Sequence, residues 1–263
     1  MSNGKFAVSQ TGTQHAAAIT RGHAGDPSRG LLSQVSIIIP IGPDEQAWPL
    51  LLHDLAELGN EAELLIVGTR ERPEELDKLL AASSLGRRAR WISATAGRAR
   101  QLNAGAEQSA RPFLWYLHAD CRVTPDALHA LDRSLALHPN ALHYFDLQFQ
   151  DDGPRLTRLN ALGARIRSRW FGMPFGDQGF CLSGDVFQRL GGFDEAARFG
   201  EDHLLVWAAH RLGVPLRRVD AAIATSARKY RENGWLATTL VHGWRTWRQA
   251  AAAIAKLLWS RIK

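Results

Sequence analysis

An acidic residue follows a strongly apolar segment near the middle of the chain. Phe113 to Leu117 (FLWYL) leads directly into His118-Ala119-Asp120. If this segment is a strand of a parallel sheet, Asp120 lies at the edge where ligands bind, and its carboxylate could hold Mg²⁺ or Mn²⁺. His118 lies on the same side of an extended chain and could be a second metal ligand. The alternatives are a turn or helix-capping role for Asp120 and a structural role for His118.

A second pair of acids, Glu201-Asp202, opens an apolar segment of helical character. A carboxylate at this position could act as a general base on a bound hydroxyl group, provided that the fold brings it opposite Asp120. The alternative is a favourable interaction with the helix dipole, which accounts for at least one of the two acids without any function.

Two further segments carry groups that suit a polar ligand. Gly97 to Gly105 (GRARQLNAG) places Arg98, Arg100 and Asn103 at a loop that enters a helix. Guanidinium groups at a helix N-terminus suit a diphosphate, although arginines on a solvent-facing helix surface would look the same. Gly176-Asp177-Gln178 precedes a strand, and it could bind a sugar hydroxyl group or form an ordinary turn.

Strands and helices must alternate to position these residues. Apolar or β-branched runs predict strands at Val35–Pro40, Glu63–Val67, Arg90–Ser93 and Phe113–Leu117, with helices at Trp48–Leu58, Pro73–Ala82 and Arg98–Ser109 between them. This alternation predicts an α/β domain with a Rossmann-like, mostly parallel sheet flanked by helices. Ligands bind beyond the carboxyl ends of such strands, where most of the candidate residues lie.

The second half of the chain has a different pattern. Phe145, Leu147 and Phe149 alternate with polar residues, which predicts a half-exposed strand. An arginine-rich segment runs from Arg155 to Trp170. We also predict a strand at Phe180–Ser183, and helices from Thr124-Pro125 to Leu137, at Asp185–Leu190 and at Glu201–Leu212.

The order of these segments resembles the family 2 glycosyltransferases, which have the GT-A fold. The shared series is IIIP, the DE of Asp44-Glu45, GRARQLNAG, YLHAD, GDQ, GGFDE, GEDHLLVWAAHRLG and TSAR. It is most similar to a bacterial subset described as arsenosugar-biosynthesis or radical-SAM-associated glycosyltransferases. The resemblance covers about residues 34 to 235.

The resemblance implies transfer of a sugar from a nucleotide-sugar donor, a UDP- or GDP-sugar, to an acceptor hydroxyl group with inversion. The segment after the first strand, which includes Pro40, Asp44 and Glu45, would meet the nucleoside. Arg98 or Arg100 would neutralise the diphosphate, and Arg228 in the TSAR segment would close over it. Asp177 and Gln178 would contribute to the same ligand site.

The same resemblance assigns the catalytic and metal-binding residues. Asp120 would be the metal-binding second acid of a DxD-type motif, and Asp202 would be the base that takes the acceptor proton. Two positions depart from the pattern. His118 replaces the first acid of the DxD motif, which puts the metal requirement in question. Gly68 stands where an Asp often reads the nucleobase, so the identity of the base is open.

Composition narrows the class of protein. The 263 residues are 45% hydrophobic and 22% charged with two cysteines, which excludes a disordered chain and a disulfide-stapled miniprotein. No apolar run is long enough to span a bilayer, and residues 1–30 resemble a mobile leader rather than a secretory signal. We therefore expect a cytoplasmic protein with its glycosyltransferase domain at residues 31–234.

The C-terminal segment is strongly basic. From Arg211 onward there are eleven Lys or Arg residues and two acids. Residues 235–263 are predicted to form an amphipathic helix, with an apolar stripe that includes Trp244, Trp247 and Leu258. This helix could lie on an anionic membrane, at the inner face of the plasma membrane, or pack against the domain or a partner subunit.

Two other functions fit parts of the sequence. Replacement of an acid by His118 and the presence of Gly68 would suit a catalytically silent sugar-nucleotide-binding protein. The sequence pI of about 9.8 would suit a nucleic-acid-binding protein. The chain lacks a recognisable module for reading DNA or RNA, so we expect no nucleic-acid partner.

Overall fold

The structure is a computed structural model that describes residues 30–57, 62–197 and 199–241. The leader predicted at residues 1–30 therefore lies outside the described residues except for Gly30. The helix predicted from residue 235 is described, and helical, over residues 235–241. Its remaining residues, with most of the predicted apolar stripe, lie outside the described part.

Eight strands in the described residues form one sheet. They are β1 (Val35–Ile41), β2 (Glu63–Gly68), β3 (Ala89–Ser93), β4 (Phe113–Tyr116), β5 (Cys121–Arg122), β6 (Leu142–Phe149), β7 (Cys181–Ser183) and β8 (Leu216–Thr225). Their order in the sheet is β3-β2-β1-β4-β7-β6-β8-β5. The pairs β1/β2, β2/β3, β1/β4 and β6/β8 are parallel, whereas β7 runs antiparallel to both its neighbours and β5 to β8. The predicted mostly parallel α/β architecture is confirmed.

Helices flank this sheet. They are α1 (Trp48–Glu57), α2 (Glu74–Ala82), α3 (Arg98–Glu107), α4 (Pro125–Leu137), α5 (Thr157–Trp170), α6 (Gly184–Leu190), α7 (Glu201–Arg211) and α8 (Arg228–Glu232). Thr124 starts α4 by accepting a hydrogen bond from the Ala127 N–H group, and Pro125 lies where no backbone donor is needed. Within the described ranges, no helix is long and apolar enough to cross a membrane.

The hydrophobic core lies on both faces of the sheet. In β2, Leu64 and Ile66 pack in one cluster and Leu65 and Val67 pack in the other. Successive side chains of a strand point to opposite faces, so a strand that is apolar throughout must be covered on both sides. This is why β1 and β2 appear in the sequence as continuous apolar runs.

The prediction of a half-exposed strand at Phe145–Phe149 is right for Gln148, which is exposed, and wrong for Asp146, which is buried. Leu142 to Leu147 are all buried, because β6 lies inside the sheet between β7 and β8. Asp146 is buried because its carboxylate pairs with Arg169 at 2.6 Å and Arg218 at 3.2 Å. The alternation in sequence therefore reflects an ion-paired carboxylate at Asp146 and a solvent-facing side chain at Gln148.

Three elements of the second half were not predicted: α5, β8 and the short helix α8. The arginine-rich segment forms α5, and β8 pairs in parallel with β6, with a register shift between Tyr144 and Asp146. Alanines and basic residues in LRRVDAAIAT obscure the strand pattern of β8. Its position between β6 and β5 brings the segment after Thr225 to the same sheet edge as Asp120.

Candidate active site

The loops after β1, β4 and β8 meet at one edge of the sheet. Glu45 follows β1, and its Oε1 accepts a hydrogen bond from the Ala47 N–H group at 2.8 Å. The same oxygen lies 3.5 Å from a guanidinium nitrogen of Arg228, just beyond β8. Glu45 and Lys229 are both close enough to act on the charge of Asp120. The structure thus brings predicted site residues from three separate segments together.

Asp120 follows β4 and is held by Thr225, at the end of β8, and by Gln150, just after β6. The Thr225 hydroxyl group donates to its Oδ1 at 3.3 Å, and the Gln150 side-chain amide donates to its backbone oxygen at 2.8 Å. Burial is the main cause that raises the pKa of Asp120, while Lys229 lowers it and Glu45 raises it. Its carboxylate would therefore gain from a nearby cation.

His118 is the second predicted metal ligand, with a different chemistry. Its Nε2 atom is buried and has no hydrogen-bond partner among the described residues. Burial lowers the pKa of His118 well below its ordinary value, and the charges of Arg98 and Lys229 lower it further. A neutral imidazole nitrogen without a partner is a suitable metal ligand.

Asp120 and His118 each have a chemistry that suits a divalent cation. They lie in a turn that the Cys121 N–H group closes on the His118 carbonyl oxygen at 3.1 Å, and not on one side of an extended chain as predicted. Among the residues that the structure describes, no cluster of three or more His, Cys, Asp or Glu side chains forms a complete metal cage. Mg²⁺ commonly uses one or two protein carboxylates and completes its shell with phosphate oxygens and water. The two residues could serve as a partial site that a phosphate-bearing ligand completes.

The start of α7 is fixed by contacts to two other segments. Asp202 Oδ2 accepts a hydrogen bond from the Gly176 N–H group at 2.6 Å, and its Oδ1 accepts from the His203 N–H group at 2.9 Å. Glu201 is buried, and its carboxylate lies 2.9 Å from Nε of Arg98 on α3. Burial raises the pKa of Glu201, which Arg98 partly offsets. The ion pair gives Glu201 a structural role and leaves Asp202 as the candidate base.

Asp177 lies in the short turn that Asp202 supports. Burial raises its pKa to about 6, with Asp202 and Asp120 raising it further and Arg167 and Arg98 lowering it. Its Oδ1 is buried without a hydrogen-bond partner among the described residues. Asp177 is thus within electrostatic reach of both Asp120 and Asp202, so all three predicted acids belong to one cluster.

Sequence reasoning missed Arg167 as a member of this region. Its guanidinium group lies 3.2 Å from the centroid of the Phe175 ring and donates to the Met173 carbonyl oxygen at 2.8 Å. Burial lowers its pKa, while Asp177 and Asp202 raise it. The arginine-rich segment was the available signal, but the five arginines between residues 155 and 170 look alike without the helix register.

Sequence reasoning also missed the residues that hold the segment after β8. Asp152 accepts hydrogen bonds from the Ser226 hydroxyl group at 2.5 Å and the Ala227 N–H group at 2.7 Å. These bonds fix the backbone that leads into Arg228 and Lys229. Lys229 itself acts on both His118 and Asp120, although only its neighbour Arg228 was predicted.

The structure revises the role of Gln178 as a ligand-binding residue. Its side chain is fully buried. Its amide nitrogen donates to the Phe145 carbonyl oxygen at 2.8 Å, and its Oε1 accepts from Ser168, Arg167 and the Phe175 N–H group. With these groups committed inside the protein, Gln178 can position the turn that carries Asp177 but cannot reach a ligand.

Asn103 has a similar supporting role. Its amide nitrogen donates to the Phe193 carbonyl oxygen and to Glu195, and its Oδ1 accepts from the Phe193 N–H group at 3.0 Å. The side chain therefore ties α3 to the GGFDE turn. A direct contact between Asn103 and a donor stays a prediction.

The surroundings of three other predicted residues, Arg100, Asp44 and Pro40, differ from one another. Arg100 donates to the Ala96 carbonyl oxygen and lies 3.7 Å from Glu195. Asp44 is exposed in the turn after β1, and Pro40 is buried in β1 opposite Val67. For these residues, too, contact with a nucleotide stays a prediction.

Comparison with solved structures relates this architecture to known proteins. S. aureus TarS 1–349 matches with a TM-score of 0.55 and 16% identity, over 73% of this chain and 60% of that chain. A second TarS structure, in complex with UDP-GlcNAc, has a TM-score of 0.57 and 15% identity over 74% and 59%. The mannosyltransferase PcManGT from Pyrobaculum calidifontis, in complex with GDP-Man and Mn²⁺, has a TM-score of 0.55 and 16% identity over 74% and 56%. The chain has the fold of these proteins.

The comparisons support the fold without assigning a family. The chain spans less than two thirds of the length of each matched chain. No protein-family model and no curated protein sequence matches it. The predicted GT-A-like fold is thus supported by the likeness of whole structures, and the function must be argued from the site.

Proposed function

We propose that the chain is a glycosyltransferase, similar to family 2, that moves a sugar from a UDP- or GDP-sugar to an acceptor hydroxyl group. The observation that carries the proposal is the geometry at one sheet edge. Arg228 pairs with Glu45 beyond β1, and Thr225 at the end of β8 bonds to Asp120. Asp202 accepts a hydrogen bond from Gly176 in the turn that carries Asp177, and Arg98 pairs with Glu201 beside it. This edge is the ligand-binding edge of the sheet. Proteins of the same fold have been solved with UDP-GlcNAc and with GDP-Man and Mn²⁺.

The basic residues and the partial metal site would bind the donor diphosphate. Its negative charge grows as the bond to the sugar breaks, so fixed cations nearby would stabilise the transition state. Arg228 and Lys229 approach from the segment after β8, and Arg98 approaches from the start of α3. A divalent cation held by Asp120 and His118 would add charge neutralisation at the leaving group.

Asp202 would be the general base. Each of its oxygens accepts one backbone N–H group, which orients the carboxylate and leaves lone pairs for an acceptor hydroxyl group. The acceptor oxygen would form a bond to the anomeric carbon as the bond to the diphosphate breaks. The acceptor proton would pass to Asp202, and the bonding electrons would leave with the nucleoside diphosphate. Attack from the face opposite the leaving group gives inversion.

The remaining predicted residues would shape the site around this chemistry. Asp177, at the turn beside Asp202, would bind a sugar hydroxyl group through its unpartnered oxygen. Glu45 would hold Arg228 over the donor, while Pro40 and Asp44 would line the nucleoside segment. We assign Gln178 and Asn103 to positioning, and Arg100 to the outer part of the diphosphate site.

We further propose that the protein works in the cytoplasm at the inner face of the plasma membrane. The support is the basic C-terminal segment, whose Lys and Arg residues would favour anionic lipid. More narrowly, we propose that the chain belongs to the bacterial subset of arsenosugar-biosynthesis or radical-SAM-associated glycosyltransferases. The support is the order of the short motifs in its sequence.

Replacement of Asp202 tests the proposed function. Asp202→Asn should lower the rate of sugar transfer by roughly 10²–10⁴-fold, with donor affinity nearly unchanged, because the base acts on the acceptor. Asp185→Asn is the matched control, since Asp185 is an exposed acid in the first turn of α6. Donor affinity would be measured by calorimetry. Turnover would be measured with a panel of UDP- and GDP-sugars, with and without Mn²⁺.

The outcomes separate the enzyme from its rivals. Donor binding without turnover in the unmodified protein, or unchanged turnover in Asp202→Asn, would favour the silent sugar-nucleotide-binding protein or another base. Absence of donor binding together with salt-sensitive binding to duplex DNA or RNA would favour the nucleic-acid-binding protein.

A further inference from the structure

Helix α5 has an apolar face that points into solvent. Its buried residues Thr157, Ala164 and Ser168 lie on the side that packs on the sheet. The opposite side carries large apolar residues with relative exposures between 45% and 83%: Leu159, Leu162, Ile166 and Trp170. At 100° per residue these four lie within one stripe along the helix. The adjoining Phe171 is exposed as well.

Basic residues flank one side of this stripe. Arg158 and Arg165 lie beside it on α5, and Arg155 lies just before the helix. No ion pair or hydrogen bond engages the guanidinium groups of these three arginines within the described ranges. They line a groove of about 350 Å³ between α5 and the end of β6, together with Phe149, Leu162 and one acid, Asp151. The groove therefore combines basic and apolar side chains.

The other side of the stripe adjoins the start of the C-terminal helix. Asn160 accepts a hydrogen bond from the Trp235 indole nitrogen at 2.6 Å and donates to the Thr239 hydroxyl group at 3.1 Å. Residues 235–241 thus pack beside α5, and they expose Leu236 and Leu240. The apolar surface continues from one helix onto the next.

The charge of this surface decides which partner fits it. Residues 242–263 carry five basic residues and no acid, so they would not neutralise the arginines if they folded over the stripe. A second copy of the same face would likewise place positive charge against positive charge. A nucleic acid would satisfy the arginines but not the exposed Leu, Ile, Trp and Phe side chains. An anionic bilayer satisfies both, because it offers phosphate groups above an apolar layer.

We propose that the exposed face of α5, flanked by Arg155, Arg158 and Arg165, docks onto an anionic lipid bilayer. The apolar stripe enters the boundary between headgroups and acyl chains, and the arginines contact lipid phosphates. This contact is separate from the one proposed for the C-terminal segment, and it depends on neither the donor nor sugar transfer. Gln150 lines the same groove and bonds to Asp120, so the docked face adjoins the proposed active site.

Vesicle flotation of the full chain tests the proposal. The protein should float with vesicles of equal parts phosphatidylcholine and phosphatidylglycerol, and not with phosphatidylcholine alone. The double variant Arg158→Glu/Arg165→Glu should weaken binding by at least about tenfold, because it reverses two charges at the surface. Leu159→Ser/Ile166→Ser should weaken it without changing the net charge. The matched control is Arg133→Glu/Arg189→Glu, two exposed arginines on α4 and α6, which should bind like the unmodified protein.

Several results would overturn the proposal. The protein would fail to float with anionic vesicles, or the control pair would weaken vesicle binding as much as Arg158→Glu/Arg165→Glu does. Alternatively, only replacement of Arg245 and Arg248 in the C-terminal segment would weaken vesicle binding. In another outcome, the protein would bind duplex DNA or polyglutamate as tightly as it binds vesicles, without needing Leu159 and Ile166. That result would assign the arginines to another partner. A concentration-dependent dimer that Ile166→Ser disrupts would assign the stripe to a second copy. Donor affinity, measured on the same variants, reports on the proposed function independently.

Discussion

At the scale of single residues, two neighbouring acids of the site have opposite surroundings. Asp202 has a backbone donor for each carboxylate oxygen, whereas Asp177 is buried with one oxygen unpartnered among the described residues. Unsatisfied burial disfavours the charged form of a carboxyl group, and the pKa of Asp177 is accordingly about 6. The turn from Gly176 to Gln178 therefore holds Asp202 through the Gly176 N–H group and carries a second acid, Asp177, that retains its proton in mildly acidic solution.

This difference predicts a pH-dependent stability. Because the pKa of Asp177 is about 6 in the folded protein and 3.8 ordinarily, the folded state binds its proton more tightly. The tighter binding of the Asp177 proton stabilises the folded state. This stabilisation is fully present below pH 3.8 and is lost as the pH rises through about 6. Asp177→Asn should thus raise the free energy of unfolding by about 1–3 kcal/mol near pH 8, with a smaller effect near pH 4.5.

Urea unfolding at both pH values would measure the effect. Asp151→Asn is the control, because Asp151 is exposed and should leave the pH dependence unchanged. A destabilised Asp177→Asn protein near pH 8 would mean that the attraction between Asp177 and Arg167 outweighs the cost of burial.

At the scale of elements, the segment between β8 and α8 depends on a side-chain clamp. Asp152 caps it through Ser226 and Ala227, and Glu45 contacts it through Arg228. Neither carboxylate belongs to a helix or a strand. The position of the proposed diphosphate-binding cations therefore depends on loop carboxylates as well as on the sheet.

Removing the clamp should weaken donor binding. Asp152→Ala removes two charge-assisted hydrogen bonds, and we expect a loss of about 1–3 kcal/mol in donor affinity as Arg228 and Lys229 lose their fixed backbone. Asp151→Ala, at the exposed neighbouring position, should bind the donor normally. Calorimetric titration with UDP and GDP would measure both variants. Equal affinities for the two variants would show that the segment holds its position without Asp152.

The first half of the fold could be predicted well from the sequence because strands such as β1 and β2 are covered on both faces. A short, continuous apolar run that is rich in β-branched residues and ends at a turn is typical of such a strand. β8 was missed because alanines and basic residues obscure its strand pattern, and because its pairing with β6 is a long-range contact that a local pattern does not reveal. In the candidate site, the residue types and their order along the sequence were enough to predict Asp120, Asp177 and Asp202. The roles of Gln178, Arg167 and Lys229 depend on which atoms face each other, and this required the structure.

At the scale of the whole molecule, one sheet joins two hydrophobic layers. Leu64 and Leu65 are adjacent and fully buried, but they pack on opposite faces. Cavity formation in either layer should therefore destabilise the same cooperative unit.

Paired substitutions test this coupling. Leu64→Ala and Leu65→Ala should each lower the free energy of unfolding by about 2–5 kcal/mol and shift one common transition, observed by both circular dichroism and tryptophan fluorescence. Leu137→Ala, at an exposed position on α4, should have an effect within about 0.5 kcal/mol. Transitions that separate between the two probes would show that the layers unfold independently.

The pairing of β5 with β8 also sets the order in which the protein can be completed on the ribosome. The hydrogen bond from Thr225 to Asp120 spans 105 positions of sequence, and Lys229 emerges later still. Contacts of such long range form late, because the intervening chain must first be ordered. The parallel strands β1 to β4 can assemble while β8 is still inside the exit tunnel. A nascent chain therefore presents Asp120 before Lys229 has emerged, and it gains the complete cluster only after β8 has left the tunnel.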